Sequence, residues 1–172
     1  MTKKVGSLDS HGAPVIRKAT IANSITVTEL DSVQITSGFA ALGTTGALVF
    51  GHVMSMSTLS GVGLLTTGVA GAATGSYVGT YLTASDNQTV GFVKADIDVS
   101  KNSLYSMTPD AAIGTTTGSN LLGYTVDLAD EANTDESTAH ASTSQQYRIW
   151  GVDPEVAANH VVNILESQVY GV

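Results

Sequence analysis

Apolar and polar positions along this chain fall into the pattern of many short strands. The densest apolar run is Gly46–Met56, GALVFGHVMSM, where Leu48, Phe50, Val53 and Met54 stand close together without a proline. Gly43-Thr44-Thr45-Gly46 precedes it and Ser60-Gly61 follows, so turn residues bound it on both sides. A strand apolar on both faces has to be covered on both, which places this one at the centre of a sandwich or closed barrel. Period-two alternation marks further strands at Ser24–Thr28, Ser32–Thr36, Ser76–Leu82 and Thr89–Val99, with Phe39–Leu42 following a Ser37-Gly38 turn. Ser103–Asp110 (ending in a Thr108-Pro109-Asp110 turn), Asn120–Leu128, Gln145–Trp150 and His160–Val169 complete the set. On Thr89–Val99 the residues Gly91, Val93, Ala95, Ile97 and Val99 form an apolar side, so Lys94, Asp96 and Asp98 opposite them are expected to look outward.

The segments between these strands read differently. Ser85-Asp86-Asn87-Gln88 is a turn signal, and Asp153-Pro154 can open a single helical turn. Ala129–Ser144 is polar and acidic without a period, as an exposed loop would be. Thr58–Gly75, with five glycines, fits a loop or a thin pair of strands equally well. Met1–Ala22 follows neither period and contains Gly6, Gly12 and Pro14, so it is read as an extended arm. The expected organisation is an arm over residues 1–22 and one β-rich domain over 23–172. The fold class is all-β: a compact barrel or sandwich of short antiparallel strands with at most one or two short helical turns.

Composition supports the strands. Gly accounts for 18 of 172 residues and charged residues for only 13%. Small and β-branched residues dominate the remainder, which favours strands and tight turns over long helices. Cysteine is absent, so disulfides, zinc knuckles and thiol chemistry are excluded together. Met1-Thr2-Lys3-Lys4 is basic but no apolar stretch follows, and Gly61–Ala73 is too short and interrupted to span a bilayer. A soluble protein that folds in the cytosol is expected.

Charge is unevenly placed. Lys3, Lys4, Arg17 and Lys18 with Asp9 give the first eighteen residues a formal +3, while three basic and fourteen acidic residues give the rest −11. An acidic body repels nucleic acid. A basic leader on it suits contact with another acidic surface, such as a neighbouring copy, or else a frayed and solvated terminus.

Reactive constellations are missing. Neither G-x-S-x-G nor a phosphate-binding loop occurs, and Gly61-Val62-Gly63 lacks the third glycine of a dinucleotide loop. Of the four histidines His11, His52, His140 and His160, His52 lies in the core strand, where a hydrogen-bonded structural role is the default. Asp127, Asp130, Glu131, Asp135 and Glu136 have the wrong spacing for a calcium loop and read as a solvated loop or a dock for the leader. Asp96 and Asp98 share a strand face but have no neighbouring base. Asn87-Gln88-Thr89 matches a glycosylation sequon without a secretory signal to make use of it. No catalytic, cofactor-binding or metal-binding residue is assigned, no cofactor is implied, and no enzyme is expected.

The second half of the chain resembles a known group. Asp86-Asn87-Gln88-Thr89-Val90, Ser103-Leu104-Tyr105-Ser106, the run from Gly114 to Tyr124, and Gly151-Val152-Asp153-Pro154 are similar to segments of small β-rich head decoration, or cement, proteins of tailed bacteriophages. The resemblance covers roughly Tyr77 to Val172 and rests on turns and strand edges. It implies a structural virion protein on the capsid exterior, made in the host cytoplasm and cementing neighbouring major capsid protein subunits. Its partners would be that protein and copies of itself, in a homotrimer, with no nucleic acid and no membrane. Lys3, Lys4, Arg17 and Lys18 would be the partner-binding residues. The alternative is a host-adhesion or glycan-binding module of a fibre or spike, suggested by Tyr77, Tyr81, Tyr105, Tyr124, Tyr147 and Trp150. A glycan-degrading enzyme ranks third.

Overall fold

A computed structural model describes residues 2–7, 14–58, 80–83, 85–91, 93–110, 122–135 and 145–165. The first strands are β1 (Lys3–Ser7), β2 (Ile16–Thr20), β3 (Thr26–Thr28), β4 (Ser32–Thr36), β5 (Phe39–Leu42), β6 (Gly51–Thr58) and β7 (Thr80–Leu82). After a short helix, α1 (Asn87–Val90), come β8 (Val93–Asp98), β9 (Ser103–Pro109), β10 (Thr125–Leu128), β11 (Asn133–Asp135), β12 (Tyr147–Val152) and β13 (His160–Ile164). The all-β expectation holds.

The strands close into two rings. In the first, the order is β2-β8-β6-β4-β5, and the bridge Ile21↔Ala40 joins its two ends. Its interior is filled by Ile21, Val33, Ala40, Val53, Met56, Val93, Ala95 and Ile97. A bulge between Val53 and Ser55 resets the alternation of β6, so Val53 and Met56 both reach this core although three positions separate them. Val27 on β3 and Tyr81 on β7, a two-stranded pair, add to the same cluster. In the second, β9-β11-β10-β12-β13 is closed by pairing of β13 with β9, and β1 pairs with the edge of β9 away from β13, end to end with β11. Tyr105, Met107, Val126, Leu128, Tyr147, Ile149, Val162 and Ile164 fill it. Closure matters physically, because an open sheet this short would leave two rows of unpaired backbone groups.

Each barrel borrows from the other. Val49, in the loop before β6, is buried in the second core, and Leu30, in the turn between β3 and β4, packs against it. Leu30 adopts φ 72°, a left-handed conformation that costs a non-glycine residue about 1–2 kcal/mol. Gln146 binds the 43–50 loop, its side-chain nitrogen donating to the carbonyls of Thr44 and Ala47 at 2.9 and 2.6 Å. Gly51 is required by close approach: a Cβ there would collide with the main-chain oxygen of Asp98 and meet Ile97 Cγ2 at 2.7 Å.

Several expectations need correction. The run Gly46–Met56 does contain the central strand, but the strand starts at Gly51; residues 46–50 form a loop whose Val49 enters the other core while Phe50 packs against the first. The leader is extended, yet it is not an arm apart from the body, since β1 pairs with β9 and β2 is a stave of the first barrel. Thr89–Val99 is shorter than expected, because residues 87–90 turn helical. Buried Asn87 fastens that turn: its oxygen accepts from Val93 N at 2.7 Å and its nitrogen donates to Ile21 O at 2.5 Å. Residues 154–159 make bends and a turn instead of a helical turn. Within the expected loop Ala129–Ser144, Asn133–Asp135 is a strand, held by the preceding turn in which Asp130 accepts from Ala132 N and Asn133 N, each at 2.9 Å. Thr58–Gly75 after its first residue, Tyr77 and Glu136 lie outside the described residues.

Candidate interaction surface and the seam beneath it

Alternation sends Lys3 and Lys4 to opposite faces of β1. Lys3 stands over the outer face of the second barrel, in register with Ser106. Its ammonium lies 2.6 Å from Glu155 Oε2 and 3.2 Å from Asp153 Oδ2. The hydrogen bond to Glu155 is the main cause that raises the Lys3 pKa. Asp153 is held down to about 2, first by a hydrogen bond from Ser106 and then by the Glu155 N–H and Lys3, against the opposing effect of burial. These groups border an open depression of about 270 Å³ lined by Lys3, Lys4, Val5, Asp153, Pro154 and Glu155.

Lys4 points the other way, into the seam between the barrels. Its Nζ lies 2.6 Å from Oδ2 of Asp98, whose side chain is 0% exposed. Asp98 therefore does not look outward as the alternation of its strand suggested. The polar face of β8 is outside the first barrel, but at this end the second barrel covers it. Ser103 Oγ and Tyr105 OH donate to the same oxygen at 2.7 and 2.9 Å, and Ser100 N donates to the other at 2.9 Å. Burial pushes the Asp98 carboxyl up; Lys4 and these three donors outweigh it and leave the pKa lowered.

Tyr105 carries the network across. Its ring stacks on His52 with centroids 3.8 Å apart. His52 is 0% exposed on β6, facing away from Val53, so the central strand is buried on both sides. Nδ1 of His52 lies 3.0 Å from the carbonyl of Leu30 and must carry the proton. Nε2 then accepts from Tyr147 OH at 3.0 Å, and the Tyr147 oxygen accepts from Ser32 Oγ at 2.9 Å. Burial lowers the His52 pKa to about 4, which keeps the imidazole neutral and this hydrogen-bond order intact. Sequence reasoning took His52 for a structural histidine, and the structure agrees.

Asp31 sits beside this seam. Its Oδ2 accepts from Thr28 N at 2.7 Å, and Ser32 N donates to Glu131 O in the other barrel at 2.7 Å. Burial, reinforced by Glu131 and Asp130, raises the Asp31 pKa to about 7 despite the Thr28 bond. Nothing in the sequence marked this residue, since only the fold brings Asp130 and Glu131 to it.

On the first barrel, Lys18 Nζ lies 2.8 Å from Asp96 Oδ1, its register partner on β8. That hydrogen bond is the largest cause of the lowered Asp96 pKa. Arg17 is exposed and donates to its neighbour's carbonyl at 3.5 Å. Of the four residues expected to bind a partner, three are thus ion-paired within the chain. The acids that pair with them are Asp96, Asp98, Asp153 and Glu155.

The aromatic rings divide as well. Tyr105 and Tyr147 are fully buried and Tyr81 nearly so, whereas Trp150 is 41% exposed with its Nε1 donating to Asn163 Oδ1 at 2.7 Å. On the inner face of the second barrel, neither ring nitrogen of buried His160 has a hydrogen-bond partner among the described residues, and burial lowers its pKa. Among the described residues, no group of three or more His, Cys, Asp or Glu converges as a metal site would require. The seam residues Asp98, His52, Tyr105 and Tyr147 are sealed from solvent, so their chemistry is that of a joint: they fix one barrel on the other. Compared with known protein families, curated proteins and solved structures, the chain has no match.

Proposed function

We propose that this chain is a structural virion protein that binds the outer surface of a phage capsid and cements neighbouring major capsid protein subunits. The observation that most supports the reading is the joint between two closed barrels, in which a basic leader, a buried carboxylate and a hydrogen-bonded histidine are spent on internal stiffness. A tile that resists an expanding shell needs such stiffness and many repeated contacts, each of them weak. With Lys3, Lys4 and Lys18 occupied by internal acids, the grip on the capsid falls to the acidic exterior. A basic shell surface is the partner it fits, and trimers around a local threefold axis would multiply the contacts.

The adhesion alternative drew on six aromatic residues. Burial of Tyr81, Tyr105 and Tyr147 removes three of them from any glycan; among the described residues Tyr124 is half-buried and Trp150 is exposed. The test is sedimentation of purified protein with empty capsids, followed by thermal disruption of the washed particles. Saturable binding at a fixed copy number, with a raised disruption temperature, is expected. Protein that stays in the supernatant as a monomer at every concentration overturns the reading.

A further inference from the structure

We propose that β1 is an exchangeable strand, able to leave β9 of its own chain and take the same place on β9 of a second copy. The first ground is where β1 lies. It pairs with the edge of β9 away from β13, and none of its residues belongs to either apolar core. Val5, its one large apolar side chain, is 38% exposed. Removal of β1 therefore takes no member from either apolar core and leaves the β9–β11 and β9–β13 pairings in place, while the Ser103–Ser106 edge of β9 is freed for another strand.

The second ground is what holds it. Main-chain pairing runs from Lys3↔Ser106 to Ser7↔Ser103 and is interrupted between Lys4 and Gly6. The ion pairs of Lys3 and Lys4 complete the attachment, with Thr2 Oγ1 donating to Ala132 O at 3.0 Å. All of these contacts are directional, and a second copy reproduces every one. The vacated track is acidic, with Asp98, Asp153 and Glu155 along it, and the strand that fits it carries Lys3 and Lys4. Residues 8–15 join β1 to β2, and a link of eight residues spans at most about 26–29 Å.

Exchange competes with the chain's own β1, which a short tether holds at an effective concentration in the mM range. Exchanged forms are thus scarce in dilute solution and grow as copies crowd together. The inference concerns pairs of this chain and stands or falls independently of the capsid reading.

The native chain has no cysteine, which permits a clean trap. Lys3 and Ser106 are directly opposite, within the Cα spacing that a disulfide bridges. Chains carrying Lys3→Cys alone are mixed with chains carrying Ser106→Cys alone and oxidised. A covalent heterodimer is expected, absent when exposed Leu82→Cys replaces Lys3→Cys. The double variant, with both substitutions in one chain, should close its own disulfide. No heterodimer under conditions that fully oxidise the double variant overturns the proposal. Should Ser106→Cys disturb folding, a fluorescent peptide of residues 1–8 offered to the unaltered full-length chain decides: slow saturable capture supports exchange, and no capture overturns it.

Discussion

Replacing Lys4 by methionine keeps the length of the side chain and removes the cation paired with Asp98. Coulomb's law at an effective dielectric of 20 gives the 2.6 Å contact a gross attraction of about 6 kcal/mol. Desolvation of the carboxylate offsets much of this, and the Lys4 side chain, 25% exposed, is partly screened by water. Three donors also remain on Asp98. The expected net loss is about 2–3 kcal/mol at pH 7, or roughly 5–10 °C in melting temperature for a chain of this size. Urea unfolding at pH 7 measures it. The pH dependence gives a sharper check. Asp98 is depressed in the folded state, so its contribution is present above the unfolded carboxylate value near pH 4 and is lost as pH falls through the folded one. The gap between Lys4→Met and the parent should therefore narrow below about pH 4. A double-mutant cycle with Asp98→Asn should show coupling of at least about 1 kcal/mol. A Lys4→Met chain within about 0.5 kcal/mol of the parent at pH 7, or a cycle with no coupling, would refute the joint as described.

Other expectations follow from the same region. Asp31 is raised to about 7, so the folded chain holds its proton between about pH 4 and 7 while the unfolded chain releases it, and stability falls with rising pH across that window. Asp31→Asn should stabilise the protein at pH 7.5 by about 2–4 kcal/mol in urea titrations, since about three pKa units separate the two states. His52, lowered to about 4, acts with the opposite sign between about pH 4 and 6.5 and masks part of that slope. In Asp31→Asn the His52 effect should emerge as stability rising by about 3 kcal/mol over the same window; a flat profile would count against a buried neutral imidazole. Tyr147→Phe strands His52 Nε2 and should cost about 1–3 kcal/mol without change in far-ultraviolet circular dichroism. Gly51→Ala should lower stability by at least about 2 kcal/mol, because the obstacle is the backbone of β8 and not a movable side-chain tip; thermal melting would detect it.

The strands whose two faces meet different surroundings were legible from period alone. Ser32–Thr36 and Phe39–Leu42 form as read, and their apolar positions Val33, Ile35, Ala40 and Leu42 face the first core. The leader was not legible, and the reason is physical. β1 adds to the edge of β9 away from β13 and needs no apolar face, so Lys3-Lys4-Val5-Gly6-Ser7 shows no period. Asp98 misled for a related reason. Alternation correctly assigns it to the polar side of β8, but says nothing about a second barrel lying across one end of that side. The members of the joint come from β1, β4, β6, β8, β9 and β12, and bonded partners such as Ser32 and Tyr147 stand 115 residues apart in the chain. No local spacing encodes such a meeting. The basic leader and the acidic body were legible as complementary charges; which acids the lysines would choose depended on the register of β1 and β2.

Leu30 and Val49 set a limit on how this chain can be divided. Both belong by connection to the first barrel and by contact to the second core. A fragment ending after β8 would carry these two side chains with nothing to enter, and a fragment starting at β9 would have an unfilled socket. Cut at the Lys101-Asn102 turn, the halves should therefore be poor proteins separately and recognise each other when mixed. Inheritance of one barrel without its neighbour is discouraged by the same two side chains.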